Sequence, residues 1–373
     1  GLAPKILETG KVSFKDIQLF AFMNTDEILA EKIPPVPGTP GFTVTNKLLS
    51  PPEVNEAEFP RLKNAVVSEN GTQLLTTTAC CITKKNGQIF VEPSLRVSGN
   101  VSYETGNIQS EVTVMVEKDV FTGFSIQSEK DIVIRGIVEG ARLESKGNIM
   151  IGLGVQGKDK AYLEGNGDIS AKFISNAFVT CLGNILIESE IINSKVWAGG
   201  NVRVSGKNGV IVGGEIDADS DVYADTIGSE MGVKTIIRMG ERINDLATLI
   251  LENQGKINEQ EEAADKCEQV IDVLKQRISK ESSPSAEIIT TFHKAREILK
   301  QARDNLDHLH HENDGLQQQY DESLRLSRTI RARTNLFPGV VLQILGSETV
   351  IKKPTGPVTV VKQGNEQIGR ASC

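Results

Sequence analysis

The chain has 373 residues, of which 39% are hydrophobic and only 5% aromatic, and glycine occurs 34 times. This composition allows two or three domains and favours tight turns around a core of small β-branched side chains. The formal net charge of −8 excludes a general electrostatic attraction to nucleic acid or to an anionic membrane.

The amino terminus and the cysteines indicate the cellular compartment. The chain begins with Gly1 rather than Met, so we expect a truncated amino terminus. No apolar run is long enough to cross a bilayer and no signal peptide is evident, so we predict a cytoplasmic protein without membrane insertion. The five cysteines lack metal-ligand spacing and are interpreted as reduced thiols that mostly fill the core.

Residues 1–98 are predicted to form a small, separate β-rich domain, because turn-forming dipeptides divide this segment into short pieces. These dipeptides are Pro34-Pro35, Pro37-Gly38, Pro40-Gly41, Pro51-Pro52 and Asn70-Gly71. We expect this domain to cover the open edge of the structure that follows it, which would prevent end-to-end polymerisation.

Residues 99–228 contain an internal repeat with a period of 16–20 residues. Each repeat is anchored by an Asn or Asp that is followed by Ile or Val and, in most repeats, preceded by Gly. The anchors are Asp131, Asn148, Asp168, Asn184, Asn201 and Asp221. Aliphatic residues recur five positions before each anchor and small residues three positions before it. Each repeat is therefore predicted to contain two strands with alternate inward side chains, joined by a turn at the anchor.

One such repeat cannot bury its own face, whereas stacked repeats turn each column of side chains into a continuous core. The repeat therefore predicts a parallel β-helix. We favour the right-handed form, because the period differs from the six-residue repeat of hexapeptide β-helices. The fold class is predicted to be mainly β, with a coiled coil added.

Residues 229–334 are predicted to form an inserted antiparallel coiled-coil hairpin. After Gly240, apolar residues recur at alternating steps of three and four from Ile243 to Ile278, and again from Phe292 to Tyr320. Ser282-Ser283-Pro284-Ser285 separates the two helices and supplies a serine N-cap. Each arm would be roughly 55 Å long. Residues 335–373 are predicted to return as β-strands.

The two arms have complementary seams when they are folded back within one chain. Residue numbers that add to 566 pair Leu274 with Phe292 and also place Asn253 opposite Asn313. A buried polar residue costs stability but fixes alignment, so we predict that Asn253 and Asn313 set the register of the hairpin.

No catalytic, cofactor or metal site is predicted. His308, His310 and His311 lack the i, i+4 spacing of metal ligands on a helix and are interpreted as solvent-exposed. The Gly152-Leu-Gly154 and Gly165-Asn-Gly167 segments do not begin a helix, as phosphate-binding loops do, and are interpreted as turns.

One outward column of the β-helix contains Glu144 and Glu164, which resembles the acidic clefts of sugar-cleaving β-helix enzymes. Thr180 and Trp197 interrupt this column, so we interpret it as a solvated face. Trp197 is the only tryptophan. It is interpreted either as covered by a loop or by the hairpin, or as an anchor for a protein partner.

A second outward column lies two residues after the anchors and contains Val133, Met150, Leu186 and Tyr223, interrupted by Ser170 and Arg203. We expect the amino-terminal domain or the hairpin to pack on this column. A partner surface is the alternative.

Several segments resemble the bacterial flagellar assembly protein A family. Asp26-Glu-Ile-Leu-Ala30, followed by Gly38-Thr-Pro-Gly41, is similar to the amino-terminal signature of the family. The segments Val101–Ile108 and Val196–Gly200 resemble its β-helix, and Phe337–Leu342 resembles its return segment. The resemblance implies a cytoplasmic bacterial protein linked to flagellum assembly and placement, in a family without recognised catalytic residues.

From the pattern and the resemblance together we predict a non-catalytic scaffold or adaptor for flagellum assembly and placement at the cell pole. Its expected partners are flagellar or cell-pole proteins, including a signalling protein that competes for one surface. No cofactor is expected, and the chain should be a monomer or a dimer. The alternatives are a polysaccharide-binding or carbohydrate-active β-helix protein and a polymer-forming cytoskeletal element.

Overall fold

A computed structural model describes residues 5–6, 12–13, 21–85, 88–280, 285–363 and 367–371. These residues form small antiparallel sheets, a parallel β-helix of about eight turns and a two-helix hairpin inserted near its end. The predicted mainly-β fold with an inserted helical hairpin is confirmed.

The amino-terminal strands form four small antiparallel sheets, in which β1 pairs with β2, β3 and β10 pair with β9, β4 and β7 pair with β8, and β5 pairs with β6. The strands are β1 (Lys5–Ile6), β2 (Val12–Ser13), β3 (Ala21–Met23), β4 (Ile28–Glu31), β5 (Gly41–Phe42), β6 (Leu48–Leu49), β7 (Ala65–Val67), β8 (Gln73–Thr76), β9 (Cys80–Lys85) and β10 (Gln88–Glu92). The sheet of β3, β9 and β10 joins the β-helix, because Cys81 belongs to the β-helix core and Phe22 and Ala79 pack against that core.

The β-helix begins directly after β10. Its strands before the insertion are β11 (Ser94–Val97), β12 (Ile108–Ser110), β13 (Thr113–Val116), β14 (Ser125–Ser128), β15 (Ile132–Ile134), β16 (Ile137–Glu139), β17 (Arg142–Ser145), β18 (Ile149–Ile151), β19 (Gly154–Gly165), β20 (Ile169–Cys181), β21 (Ile185–Ala198), β22 (Val202–Val204), β23 (Val210–Ala218), β24 (Val222–Ile227) and β25 (Thr235–Met239).

Each turn of the β-helix has three faces, and each face carries at least one inward aliphatic column. The first face stacks Leu95, Val114, Ile132, Ile149, Ile169, Ile185, Val202, Val222 and Ile330. The second stacks Ile108, Ile126, Leu143, Leu163, Val179, Val196, Ile216, Ile237 and Leu342. The third stacks Val101, Val120, Val138, Val155, Ile174, Ile191, Ile211, Ile227 and Leu336. Every residue in the three columns is at most 2% exposed.

The sequence repeat predicted the first two faces and missed the third. The strands of the third face are short and follow those of the first face almost without interruption. In β20, for example, one strand of 13 residues from Ile169 to Cys181 contributes to all three faces.

The Asn and Asp anchors form a ladder of side chains along one corner of the β-helix. In each step the side-chain oxygen of one anchor accepts the backbone N–H of the next anchor. The N···O distances are 2.7 Å from Asn148 to Asp131, 2.8 Å from Asp168 to Asn148, 2.7 Å from Asn184 to Asp168, 2.9 Å from Asn201 to Asn184 and 3.1 Å from Asp221 to Asn201. The ladder supplies acceptors for turn amides that lie between strands and would otherwise be left unpaired.

The glycine before the anchor is required because the anchor of the preceding turn lies in its place. A Cβ atom on Gly167 would lie 2.3 Å from Asn148 Oδ1, and one on Gly183 would lie 2.3 Å from Asp168 Oδ1. The Gly-Asn and Gly-Asp pairs in the sequence therefore reflect close packing of successive turns.

The hairpin consists of α1 (Glu241–Lys280) and α2 (Ala286–Arg325). The predicted break between the helices, Ser282-Ser283-Pro284, lies outside the described residues. Ser285 is the N-cap of α2, and its Oγ accepts the N–H of Ile288 at 3.4 Å. Neither helix in the described part of the chain is long and apolar enough to cross a membrane.

After the hairpin the chain returns to the β-helix and then closes its end. The strands are β26 (Thr329–Leu336), β27 (Val340–Ile344), β28 (Ser347–Val350), β29 (Val358–Gln363) and β30 (Gln367–Ala371). The first two continue the parallel stack, whereas β28 pairs antiparallel with β27 and β29 pairs antiparallel with β26. The exposed edge of the last turn is thus occupied by strands of the opposite direction, which blocks continuation of the parallel stack.

The aliphatic columns predict that alanine substitutions at two neighbouring residues have very different effects on stability. Ile149 is fully buried and the next residue, Met150, is 40% exposed. We expect Ile149→Ala to lower the free energy of unfolding by roughly 3 kcal/mol, because it leaves a cavity in a stack that cannot collapse locally. Met150→Ala is the matched control and should change it by less than about 0.5 kcal/mol. Urea denaturation of both variants measures the difference, and equal losses would contradict the inward column.

Candidate interaction surfaces

The first candidate surface is the outward column of the first face, which we call the outer stripe and define as Val133, Met150, Ser170, Leu186, Arg203 and Tyr223. Each of these residues is the direct cross-strand partner of the next. Met150 and Leu186 are 40% and 42% exposed, so the described parts of the hairpin and of the amino-terminal sheets leave both side chains accessible. The Arg203 guanidinium lies over the Tyr223 ring at 5.4 Å, and Val133 and Tyr223 are half-buried.

The second face carries aromatic side chains among charged ones. Trp197 is half-buried, with Thr180 and Asp217 as its cross-strand partners. Phe178 is 45% exposed and was not identified from the sequence, because its neighbours in the column are Tyr162 and Lys195 rather than a run of apolar residues. Cations lie over two of the rings, Arg142 over Tyr162 at 4.4 Å and Lys195 over Phe178 at 6.0 Å. The protein's own cations thus occupy ring faces on which a sugar would stack.

The acidic column on the same face is held by hydrogen bonds within the protein. The side chain of Gln127 donates to Glu144 Oε2 at 2.6 Å, and Arg142 also pairs with Glu144. The Tyr162 hydroxyl donates to Glu164 at 2.9 Å, and this bond raises the pKa of Tyr162. Glu144 is thus linked to the preceding turn, whereas the hydrogen bond to Glu164 comes from its own strand.

The hairpin is attached to the β-helix through a charged cluster that we call the hairpin base, made of Asp219, Arg238, Arg242 and Arg328. Arg328 is 9% exposed. Its Nη2 donates to the carbonyl oxygen and to the hydroxyl of Ser323 at 2.6 and 2.9 Å. The side chain thereby satisfies a carbonyl at the carboxyl end of α2, where a cation also interacts favourably with the helix dipole.

Burial shifts the pKa values of two residues in the hairpin base. It lowers the pKa of Arg328, and it raises the pKa of Asp219 even though Arg242 and Arg328 oppose that shift. The Nη1 of Arg242, in the first turn of α1, lies 3.5 Å from Asp219 Oδ2. Arg242 therefore connects α1 directly to a buried carboxylate of the β-helix.

Arg238, in the strand that precedes α1, connects three turns of the second face. Its Nη1 donates to Glu215 and Asp217 at 2.9 and 3.1 Å, and its Nε donates to Gln343 at 3.1 Å. The hydrogen bond from Arg238 lowers the pKa of Glu215, whereas burial raises the pKa of Asp217. This network orients the strand from which the hairpin leaves.

Another ion pair joins a strand before the insertion to a strand after it. Asp225 in β24 pairs with Arg333 in β26 through two contacts, at 2.7 Å to Nε and 2.8 Å to Nη2. Burial alone would raise the pKa of Asp225, but Arg333 and the N–H of Gly209 lower it below its ordinary value.

The seam between the helices contains the residues that the heptad pattern predicted, all of them buried or half-buried. Asn253 is 3% exposed. Its Nδ2 donor and the Oδ1 acceptor of Asn313 have no hydrogen-bond partner among the described residues. A bond between these two amides would satisfy both atoms. Their role in setting the register stays a prediction.

The remaining candidates from the sequence are the possible metal ligands, the Gly-X-Gly segments and the cysteines. Within the described segments, no group of three or more His, Cys, Asp or Glu side chains is placed to hold a metal ion. Both Gly-X-Gly segments lie within the β-helix rather than at a helix start. Burial raises the pKa of Cys81 to about 11 and that of Cys181 to about 12, so both thiols are protonated and packed in the core at neutral pH.

The hairpin base was not predicted from the sequence. Arg328 lies near the end of the segment predicted as the hairpin, and Asp219 lies in the last repeat before the insertion. Nothing in the sequence pairs the two regions, since only the fold brings residues more than 100 positions apart together.

Comparison with known families gives two matches that together span most of the chain. The Flagellar Assembly Protein A beta solenoid domain matches residues 93–367, and the Flagellar Assembly Protein A N-terminal region matches residues 2–87. No curated protein and no solved structure matches the chain.

The hairpin base predicts a specific effect of removing the Arg328 guanidinium. We expect Arg328→Met to lower the free energy of unfolding by about 2 kcal/mol, because a buried backbone carbonyl loses a charged donor. Amide exchange should also speed up around the carboxyl end of α2. Arg325→Met, at an exposed residue in the last turn of α2, is the control. Hydrogen exchange read by mass spectrometry distinguishes them, and unchanged protection in Arg328→Met would contradict the assignment.

The ion pair of Asp225 with Arg333 predicts a pH dependence. Because the folded pKa is lowered, the stability that Asp225 contributes is present above the ordinary Asp pKa of about 3.9 and is lost as the pH falls through the folded value. Asp225→Asn should therefore be less stable than the wild type at neutral pH, and the difference should shrink in acid. Denaturation midpoints across this range test it. A difference that stays constant would rule out the ion pair as its source.

Proposed function

The chain belongs to the flagellar assembly protein A family, and from this membership we propose that it supports flagellum assembly as a non-catalytic scaffold. In this role the β-helix is a rigid frame on which flagellar or cell-pole proteins dock. The observation that best supports docking is the outer stripe, in which Met150 and Leu186 are 40% and 42% exposed.

The outer stripe suits recognition of a protein partner because its side chains are already in place before the partner binds. Its residues stand on strands about 4.8 Å apart, so the stripe from Val133 to Tyr223 is about 24 Å long. Side chains on a rigid sheet lose little conformational entropy when a partner binds. An apolar strip with Arg203 inside it fits a partner segment with apolar side chains and at least one carboxylate.

The hairpin would place a second docking region away from the frame. Each helix has 40 residues and is about 60 Å long. The hairpin base, with Arg238 and Arg328 as its principal donors, holds this arm in one orientation. We further propose that the protein acts in the cytoplasm near the cell pole, and that a signalling protein regulates it by competing for one of these surfaces.

The function is tested by exchanging the chromosomal gene for variants of the outer stripe. Met150→Asp combined with Leu186→Asp should weaken partner binding by roughly a hundredfold or more, since two apolar contacts are lost. We expect fewer or misplaced flagella by electron microscopy.

The matched control is Leu153→Asp combined with Leu182→Asp, two leucines of similar exposure, 41% and 54%, outside the stripe. Normal flagella in the stripe variant, at equal protein level, would refute the stripe as a docking surface. Normal flagellar number and position in a complete deletion would refute the role itself.

A further inference from the structure

The two flanks of the hairpin differ in their contacts. On one flank, at heptad positions e, polar contacts join the helices: Glu268 forms an ion pair with Arg303, and Glu261 Oε1 lies 3.9 Å from His310 Nε2. The opposite flank, at positions c and g, has a groove of about 280 Å³ between the helices. Its lining residues are Lys256, Glu259, Gln260, Asn305, His308 and Leu309. We call this side the open flank.

The open flank exposes apolar side chains towards the tip of the hairpin. Val270, Val273 and Ile298 occupy its g, c and g positions and are 49%, 52% and 54% exposed. Leu249, also at g and 47% exposed, lies nearer the base. An apolar strip of this kind along a helical arm indicates a surface that is covered in an assembly.

Charge divides the open flank into two halves. Towards the tip, the c and g positions carry four basic residues and one acidic one. These are Lys266, Arg277, Lys280 and Lys294, and Glu287. Towards the base they carry two basic residues and five acidic ones. These are Arg242 and Lys256, and Asp245, Glu252, Glu259, Glu312 and Glu322. The two halves are therefore complementary to each other.

We propose that two copies of this chain associate through their open flanks, with the hairpins antiparallel. Reversal places the basic half of one hairpin on the acidic half of the other. A two-fold axis in the interface also places each helix across from its own copy, so that α1 faces α1 and α2 faces α2. This dimer does not depend on the proposed function in flagellum assembly.

The apolar residues agree with one such axis. If Leu249 of one copy meets Val270 of the other, the axis passes between positions 259 and 260 of α1. In the seam register of the hairpin, positions 306 and 307 of α2 lie at the level of this axis. Rotation about the axis then places Ile298 of one copy opposite Gly315 of the other. Both contacts are thus satisfied by a single axis, which passes through the groove.

Gly315 gives this pairing a physical reason. It lies in the middle of α2, where glycine costs about 1 kcal/mol relative to alanine. A Cβ atom on Gly315 would meet nothing within 4 Å, so the space where a side chain would stand is open, and we call this space the hollow on the open flank. The Ile298 side chain of a second copy can fill that hollow.

The available area is sufficient for a specific dimer. Arms about 60 Å long with a contact strip roughly 10 Å wide would bury roughly 1,200 Å² in total, which reaches the size of specific protein interfaces.

The test is sedimentation equilibrium of the full chain over a wide range of concentration. We expect the wild type to reach twice the chain mass of 40.5 kDa. Val270→Glu combined with Ile298→Glu should raise the dissociation constant by about a hundredfold or more, since two apolar contacts become charged. Ile289→Glu is the control, because Ile289 is 39% exposed at an e position on the other flank.

A second variant distinguishes loss of the interface from loss of folding. Gly315→Leu should raise the stability of the helix, yet it fills the hollow and should also weaken the dimer. Added salt should weaken the wild-type dimer as well. A wild type that stays monomeric at every concentration would overturn the proposal, and so would dimers that tolerate both open-flank variants. Monomers that bind an acidic helical peptide would assign the same flank to a different partner.

Discussion

The stacking of the β-helix depends on the ladder of Asn and Asp anchors, in which a side-chain oxygen of one turn accepts a backbone N–H of the next turn. The last step of this ladder is made across the insertion. Asp221 Oδ1 accepts the backbone N–H of Thr329 at 2.8 Å and its hydroxyl at 2.9 Å, although 108 residues separate the two positions. The hairpin therefore takes the place of a loop between two successive turns of the β-helix, and these two turns still stack on each other.

This arrangement separates the roles of the two parts of the molecule. The β-helix core consists almost entirely of aliphatic columns, so its stability rests on burial and close packing. The hairpin meets it through Asp219, Arg238 and Arg328, which are charged and mostly buried. Buried ion pairs contribute less net stability than apolar packing but are geometrically specific. The frame supplies stability, and the junction supplies orientation.

The sequence predicted the repeats whose period is clear, but it missed the third face of the β-helix and the contacts that occur once. The columns around the anchors and the heptads from Ile243 to Tyr320 each recur many times, so their period was visible without coordinates. The third face escaped because its strands follow the first face without a turn. The hairpin base escaped because residues such as Asp225 and Arg333 meet only after the coils have stacked. Exposure of Met150 and Leu186 could not be predicted, since alternation shows that a residue points outward but not what lies over it.

A projecting arm that is held at one end behaves mechanically as a lever. A load applied near its tip acts at about 60 Å from the junction, so a small force there becomes a large torque at the buried charges. Arg328 and Asp219 would experience this torque first, and the aliphatic stack behind them is too densely packed to yield gradually. Mechanical events at the tip would thus reach the frame as making or breaking of a few ionic contacts.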